Sequence, residues 1–380
     1  MKKIIVAGFV VYFVTVALTV AGLRLKNKDS GFLSPLGTKR GDQVLAAQTT
    51  PKKIFGFLPF WNLKDLNTKH YDNVDVVYYF SLTVKATGEF DKSEPGYSRL
   101  KSAPKVGKAQ GLTIACMKQA DIEAVINNQA KRRRVIDNTI KIMAENNFTE
   151  LNVDFEYVGV PPGNLSQNYT KFIQEAADAV HKTGGTVSVA TLSDAVWKSR
   201  IYNIAEIGKA ADYIIVMAYD FTRLPSASSG PVAPLFGREK FEYDVYTTMI
   251  DYLKNAPAQK IVLGVPFYGY EWPTVDNKPY SFTLNNSSFG PALSTIKRTV
   301  ETIKETGATV VFDDLSKTPW ISYFDAGSQT WRQVWFENER SIGLKLDLIN
   351  QADLGGMAIW ALGYEGYNPN LWGVIKDKIM

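Results

Sequence analysis

The segment Glu150-Leu151-Asn152-Val153-Asp154-Phe155-Glu156-Tyr157 alternates polar and apolar side chains. Side chains two apart on an extended strand share a face. Leu151, Val153 and Phe155 therefore point one way, and Asn152, Asp154 and Glu156 the other. A lone buried carboxylate is costly, and two adjacent ones repel, which raises the proton affinity of one of the pair. A carboxyl kept protonated near neutral pH is what a general acid for a glycosidic oxygen needs. Asn152 can hydrogen-bond to Asp154 without adding a third charge. The plainer account is a half-exposed edge strand with a solvated polar face. The surrounding elements decide between the two.

Those elements alternate in type. From Ile54 onward, short apolar runs are followed by amphipathic stretches. Candidate strands are Ile54–Pro59, Val74–Phe80, Leu112–Met117, Leu151–Phe155, Val187–Thr191, Tyr213–Ala218, Ile261–Pro266 and Met357–Trp360. Helical patterns cover Arg132–Glu145, Gln167–Thr183, Ile201–Ala210, Tyr243–Asn255 and Asn338–Ile349. Alternating strand and helix implies a parallel sheet, and near-continuous apolar strands imply one buried on both faces. The pattern predicts an α/β fold, a (β/α)8 TIM barrel. A doubly wound open sheet is the runner-up, but no Gly-rich phosphate loop follows the first strand. In a barrel the fourth strand has no solvated face. Asn152, Asp154 and Glu156 then point inward at the C-terminal end, where catalytic residues of such barrels sit.

One stretch breaks the rhythm. Between Gly269 and Gln333 lie a helical pattern, Leu293–Glu305, and strand-like pieces Thr309–Phe312, Ile321–Phe324 and Arg332–Phe336. This predicts a small α+β insertion between strands 7 and 8, about residues 275–333, placed to wall a groove at the barrel rim.

Composition removes other chemistries. The 380 residues carry 43 Lys+Arg against 38 Asp+Glu, a formal charge of +5. Residues 1–30 hold five basic side chains against one acidic, so residues 31–380 carry only +1. That body lacks the basic stripe of a nucleic-acid binder. Cys116 is the only cysteine, so no intrachain disulfide or Cys-based zinc site forms; it is expected as a small buried hydrophobe. His70 and His181 are the only histidines, which excludes three-His zinc and leaves little for a Ser-His-Asp triad; both are expected on helix surfaces. No nucleotide-binding glycine motif is present. Catalysis is expected to run on carboxylates.

The N-terminal basic residues have their own reading. Ile4–Leu23 is almost wholly apolar, with Lys2 and Lys3 before it and Arg24, Lys26 and Lys28 after it. At ~1.5 Å per residue it is long enough for a ~30 Å hydrocarbon core. Residues 1–23 are read as a signal peptide or membrane anchor, the length of the run favouring the anchor. Residues 24–52 are read as a linker and 53–380 as the barrel domain. The domain is expected to be exported, either membrane-anchored at the cell surface or secreted.

The polar strand resembles the D-x-x-D-x-D-x-E signature of glycoside hydrolase family 18, the chitinase-like barrels. It matches at Asp154 and Glu156 and departs at Thr149 and Asn152, where the signature has Asp. Met217-Ala218-Tyr219-Asp220 resembles the family's M-x-Y-D, Gly264-Val265-Pro266-Phe267-Tyr268-Gly269 its G-x-P-x-Y-G, and Gly355-Gly356-Met357-Ala358-Ile359-Trp360 the end of its eighth strand. Ser229-Gly230-Pro231-Val232-Ala233-Pro234-Leu235 and Val334-Trp335-Phe336-Glu337-Asn338 look most like the spore-cortex, peptidoglycan-cleaving branch. Ile114-Ala115-Cys116-Met117-Lys118 replaces the S-x-G-G that chitinases carry on the third strand.

The resemblance implies a β-1,4 glycosidase acting beside N-acetylglucosamine in chitin-type or peptidoglycan polysaccharides. It implies substrate-assisted retention, which requires no metal and no cofactor and is an exception to the two-carboxylate scheme. Glu156 would be the acid and base, and Asp154 would orient the substrate acetamide with Asn152 behind it. Tyr219 would hydrogen-bond that acetamide, Asp220 would hold the sugar, and Trp360 would stack beneath it. Trp61 and Trp272 follow strands one and seven, as outer subsites or as rim packing. Tyr157 stays open. The partner is a polysaccharide rather than nucleic acid, the N-terminal segment meets the membrane, and the protein is expected as a monomer. A non-catalytic, lectin-like glycan-binding barrel is the alternative. A deacetylase on the same polymers would want His and Asp metal ligands, which two scattered histidines do not offer.

Overall fold

The structure is a computed structural model, which describes residues 51–64, 66–284 and 290–379. The expected N-terminal signal or anchor, and the linker up to residue 50, lie outside the described residues. Among the described residues no helix is long and apolar enough to cross a membrane.

Eight parallel strands close into a barrel. They are β1 (Lys53–Pro59), β2 (Val76–Thr83), β3 (Ala109–Cys116), β4 (Glu150–Phe155), β5 (Thr186–Leu192), β6 (Tyr213–Met217), β7 (Ile261–Pro266) and, after the insertion, β13 (Gly356–Trp360). Around the barrel the order is β1-β13-β7-β6-β5-β4-β3-β2. The architecture is the predicted (β/α)8 barrel. β4 is hydrogen-bonded on both sides, to β3 and β5, so the edge-strand account of its alternation falls away.

Two apolar layers follow from that alternation. Phe55, Phe57, Val76, Tyr78, Phe80, Ile215, Val262 and Ala358 fill the barrel interior. Leu151, Val153 and Phe155 belong to the layer between strands and helices, and the Phe155 ring stacks 5.4 Å from Phe172 of the helix Leu165–His181. Burying a Phe of this kind contributes about 1.5–3 kcal/mol.

Helix starts follow their caps. The pattern from Ile201 predicts a helix there, yet it begins at Ile204, because the Asn203 side chain accepts the Glu206 N–H at 3.2 Å. Ile201 and Tyr202 are instead buried, and the Tyr202 hydroxyl donates to the Phe155 carbonyl at 2.8 Å. The helix expected over Tyr243–Asn255 likewise starts at Val245 rather than Tyr243, capped by Asp244, which accepts the Thr247 N–H at 2.7 Å.

The insertion between β7 and β13 is larger than expected. Its antiparallel sheet has the order β10-β11-β12-β8-β9. The strands are β8 (Tyr268–Thr274), β9 (Ala292–Thr295), β10 (Val311–Asp313), β11 (Thr318–Asp325) and β12 (Thr330–Trp335), with a helix over Ile296–Thr306. The boundary near 275 is therefore corrected to Tyr268. After Phe267 the chain re-enters extended structure as an inner strand, paired with β12 on one side and β9 on the other.

Candidate active site

Asp154 is the inward-facing residue near the end of β4, and Glu156 stands one residue beyond the strand. The Glu156 N–H donates to the Cys116 carbonyl at 3.0 Å, so strand pairing holds the backbone of the acid in place. Both carboxylates line a cleft of about 540 Å³. Tyr219, Asp220, Tyr268 and Trp360 line it too. The structure thus brings together Asp154, Glu156, Tyr219, Asp220 and Trp360, from the ends of three barrel strands.

Asn152, expected behind Asp154 among the substrate-binding residues, does not line the cleft. It is fully buried, and strand register puts it level with Thr113 on β3 and Ser188 on β5. Its amide donates to the Ser188 hydroxyl at 2.9 Å, which in turn donates to the Tyr78 hydroxyl at 3.0 Å. The expected hydrogen bond to Asp154 does not form. Asp154 lies one layer nearer the mouth, and register sets Asn152 against its cross-strand neighbour instead. Asp154 Oδ1 and Asn152 Oδ1 are both buried without a hydrogen-bond partner among the described residues.

The electrostatics favour protons on the carboxyls. Burial, and then the charge of Glu156, push Asp154 well above the ordinary carboxylate range. Burial and then Asp220 raise Glu156, while Arg223 opposes the shift. Asp220 is raised by burial, against the pull of two tyrosine hydroxyls and Arg223. Those hydroxyls, of Tyr268 and Tyr270, donate to Asp220 Oδ1 at 2.5 and 2.8 Å. Asp220 has φ +61°, a left-handed backbone that Asp tolerates better than most residues.

Tyr219 is held from below. Gly264 on β7 lies beneath its ring: a Cβ there would stand 2.5 Å from the Val216 carbonyl oxygen and 3.2 Å from the Tyr219 ring. This gives the glycine of the seventh-strand motif a physical role. Burial, then Asp154 and Glu156, push the Tyr219 hydroxyl well above its usual value, so it is a neutral donor.

Trp360 is half-buried at the end of β13, edge-on to Phe80 at 4.6 Å and 5.9 Å from Phe57. Trp61 is exposed, 6.4 Å from Trp360, with its indole N–H donating to the Tyr364 hydroxyl at 3.3 Å. The loop after Trp360 is tied down by buried Glu365, which accepts the Tyr71 hydroxyl at 2.9 Å and the Gly363 N–H at 2.8 Å. Burial pushes that carboxyl up to about 7.

Of the two readings of Trp272, outer subsite or packing, its position fits packing. It is fully buried, 5.6 Å from Tyr270, and does not line the cleft. It sits on β8, an inner strand of the insertion sheet, so a ring placed at the rim by chain order is covered by tertiary packing. Tyr157 is also turned away: its hydroxyl donates to Glu123 at 2.6 Å. Cys116 is buried as expected. His181 is exposed and pairs with Asp212 at 2.8 Å, whereas His70 is half-buried and stacks on Trp372 at 5.7 Å.

Trp197 and Arg223 line the cleft without belonging to any motif in the sequence. Trp197, in the loop after β5, is 48% exposed and lines the wall, with Lys198 Nζ 4.5 Å from its ring centroid. Arg223, in the loop after β6, lines the same cleft. An exposed Trp in a polar loop is a weak signal, and nothing local says which way a loop arginine faces. Among the described residues, no group of three or more His, Cys, Asp or Glu side chains is placed to hold a metal ion.

The profile of the Glycosyl hydrolases family 18 matches residues 97–365. The chain belongs to that family. The match runs from before β3 to beyond β13 and contains all five residues gathered at the cleft. The Cortical fragment-lytic enzyme of Bacillus subtilis (strain 168) is 26% identical over 263 residues, covering 67% of this chain and 55% of that protein. The chain thus spans about half the length of that relative. The human Di-N-acetylchitobiase is 23% identical over 354 residues, 82% of this chain and 86% of that one. In fold, the chain is similar to the Bacillus megaterium QM B1551 spore cortex-lytic enzyme SleL, with a TM-score of 0.71 at 22% identity, covering 87% of this chain and 75% of that one. Both chitinase-like and cortex-lytic family 18 glycosidases are thus among the relatives.

Proposed function

We propose that this family 18 member hydrolyses β-1,4 bonds next to N-acetylglucosamine in chitin-type or peptidoglycan glycans, by substrate-assisted retaining catalysis. The observation that carries this reading is the Asp154–Glu156 pair at the cleft: burial and then Asp220 raise Glu156 toward the protonated form that an acid needs, and burial and then Glu156 raise Asp154 beside it. Protonated Glu156 donates to the leaving glycosidic oxygen as the bond to the anomeric carbon breaks. The carbonyl oxygen of the substrate's own 2-acetamido group attacks that carbon from the other side, giving an oxazolinium ion. Positive charge developing on the acetamide nitrogen lowers the proton affinity of Asp154, which releases its proton to solvent and balances that charge as the carboxylate, and the Tyr219 hydroxyl hydrogen-bonds the same group. Water activated by the Glu156 carboxylate then opens the ring with retention. Asp220 and Trp360 hold the sugar, its apolar C–H face on the indole. The apolar run Ile4–Leu23 supports export, with the barrel outside the cell.

Two measurements test the scheme. Incubation with N-acetylglucosamine oligomers and with muropeptides should release reducing ends, and a thiazoline that mimics the oxazolinium should inhibit that cleavage competitively. Turnover insensitive to the thiazoline contradicts substrate assistance; binding without turnover by the wild type turns the reading toward a lectin-like barrel. Separately, Trp360→Ala should raise KM by roughly 5–10-fold with a smaller change in kcat, the value of about 1 kcal/mol of ring stacking. An unchanged KM would remove Trp360 from the sugar site.

A further inference from the structure

Among the described residues, three cations line the cleft: Lys198, Arg200 and Arg223. Two of them are already partnered. Asp194 holds Arg200 at 2.6 Å and Lys198 at 3.2 Å, and Lys198 also lies over the Trp197 ring. Arg223 is exposed and, among the described residues, forms no ion pair. Glu242 lines the same cleft, yet no ion pair joins it to Arg223.

The position of Arg223 is unhelpful for a neutral substrate. It sits three residues beyond Asp220 on the same loop, and its charge acts on both Glu156 and Asp220. A guanidinium there opposes the protonated state that the acid needs. A substrate carboxylate bound to Arg223 cancels that opposition and takes a planar, two-pronged donor suited to it. We propose that Arg223 is a specificity-determining residue that binds a carboxylate of the substrate, and that the preferred glycan is therefore an acidic one. This rests on the glycosidase reading above and narrows it: chitin-type chains are neutral, whereas peptidoglycan carries carboxylates on its lactyl ethers or on its stem peptides.

The test separates the two readings by measuring binding apart from turnover. Calorimetric titrations use the Glu156→Gln protein and three probes. These are tetra-N-acetylchitotetraose, a GlcNAc–MurNAc tetrasaccharide with free lactyl carboxylates, and the same tetrasaccharide with stem peptides amide-linked to the lactyl groups. At least one acidic probe should bind roughly tenfold tighter than chitotetraose. Adding Arg223→Gln should erase that ratio, by lowering the affinity for the acidic probe more than that for chitotetraose, and Arg223→Lys should restore part of it. Preference for the free-lactyl probe assigns the lactyl carboxylate; preference for the peptide-bearing probe alone assigns the stem peptide. Equal affinities for all probes, or a ratio that survives Arg223→Gln, overturn the proposal. Binding to none of the three overturns it together with the glycosidase reading, whereas an intact ratio without cleavage by the wild type removes the glycosidase reading alone.

Discussion

Glu156→Gln is expected to lower kcat by about 10²–10⁴-fold with little loss of glycan affinity. The amide fills nearly the same volume and keeps the backbone bond from the Glu156 N–H to Cys116. What it removes is the transferable proton in the first step and the base in the second. The wild-type carboxyl is raised by burial and by Asp220, so its proton persists above the ordinary carboxylate range. The alkaline limb of the kcat–pH profile should therefore lie above the ~4.3 of a free Glu. Steady-state kinetics on an N-acetylglucosamine oligomer checks both statements. A Gln variant that retains wild-type kcat would mean that another group delivers the proton.

Asp154→Asn is the second large effect, and it should separate catalysis from stability. Removing a preorganised charge from beside the developing cation is expected to lower kcat by about 10²–10³-fold while KM moves less. Stability should change in the other direction at alkaline pH. Burial and Glu156 hold the folded-state pKa of Asp154 above its unfolded value of about 3.9. The folded protein then binds the proton more tightly than the unfolded chain. That contribution is full below pH ~3.9 and is lost as the pH rises through the folded value. Above pH ~3.9 the unfolded chain gains by ionising this carboxyl while the folded site resists it, a penalty the Asn variant does not carry. Thermal unfolding should give the variant the higher Tm at pH 8, with the gap closing toward pH 4. A lower Tm for the variant at both pH values would show that the ionised carboxylate, not the neutral one, fits the folded site.

Much of this was legible in the chain. The period-two alternation of 150–157 is a local property, and once β4 is an inner barrel strand it sends Asp154 inward and Leu151, Val153 and Phe155 outward. The strand order and helix alternation likewise imply the closed barrel. Tyr219, Asp220 and Trp360 were readable because each stands at or just past the end of a strand, where direction is inherited from the sheet. Helix ends were less so, because Asn203 and Asp244 reset them by capping.

Depth and cover were decided elsewhere. Alternation gives a side chain its face but not its level along the barrel axis, which depends on stagger against neighbouring strands. That stagger pairs Asn152 with Ser188 and leaves it under Asp154 rather than in the cleft lining. Trp272 and Trp197 make the same point in opposite directions. One follows a barrel strand and is sealed inside an insertion sheet whose partner strand β12 lies some sixty residues on; the other sits in an unremarked loop and faces the cleft. Arg223 owes its place to a loop conformation with no regular period at all. The sequence alone determined which residues share a strand face; only tertiary packing decided which of them meet in one cavity, because burial and charge coupling arise between segments far apart in the chain.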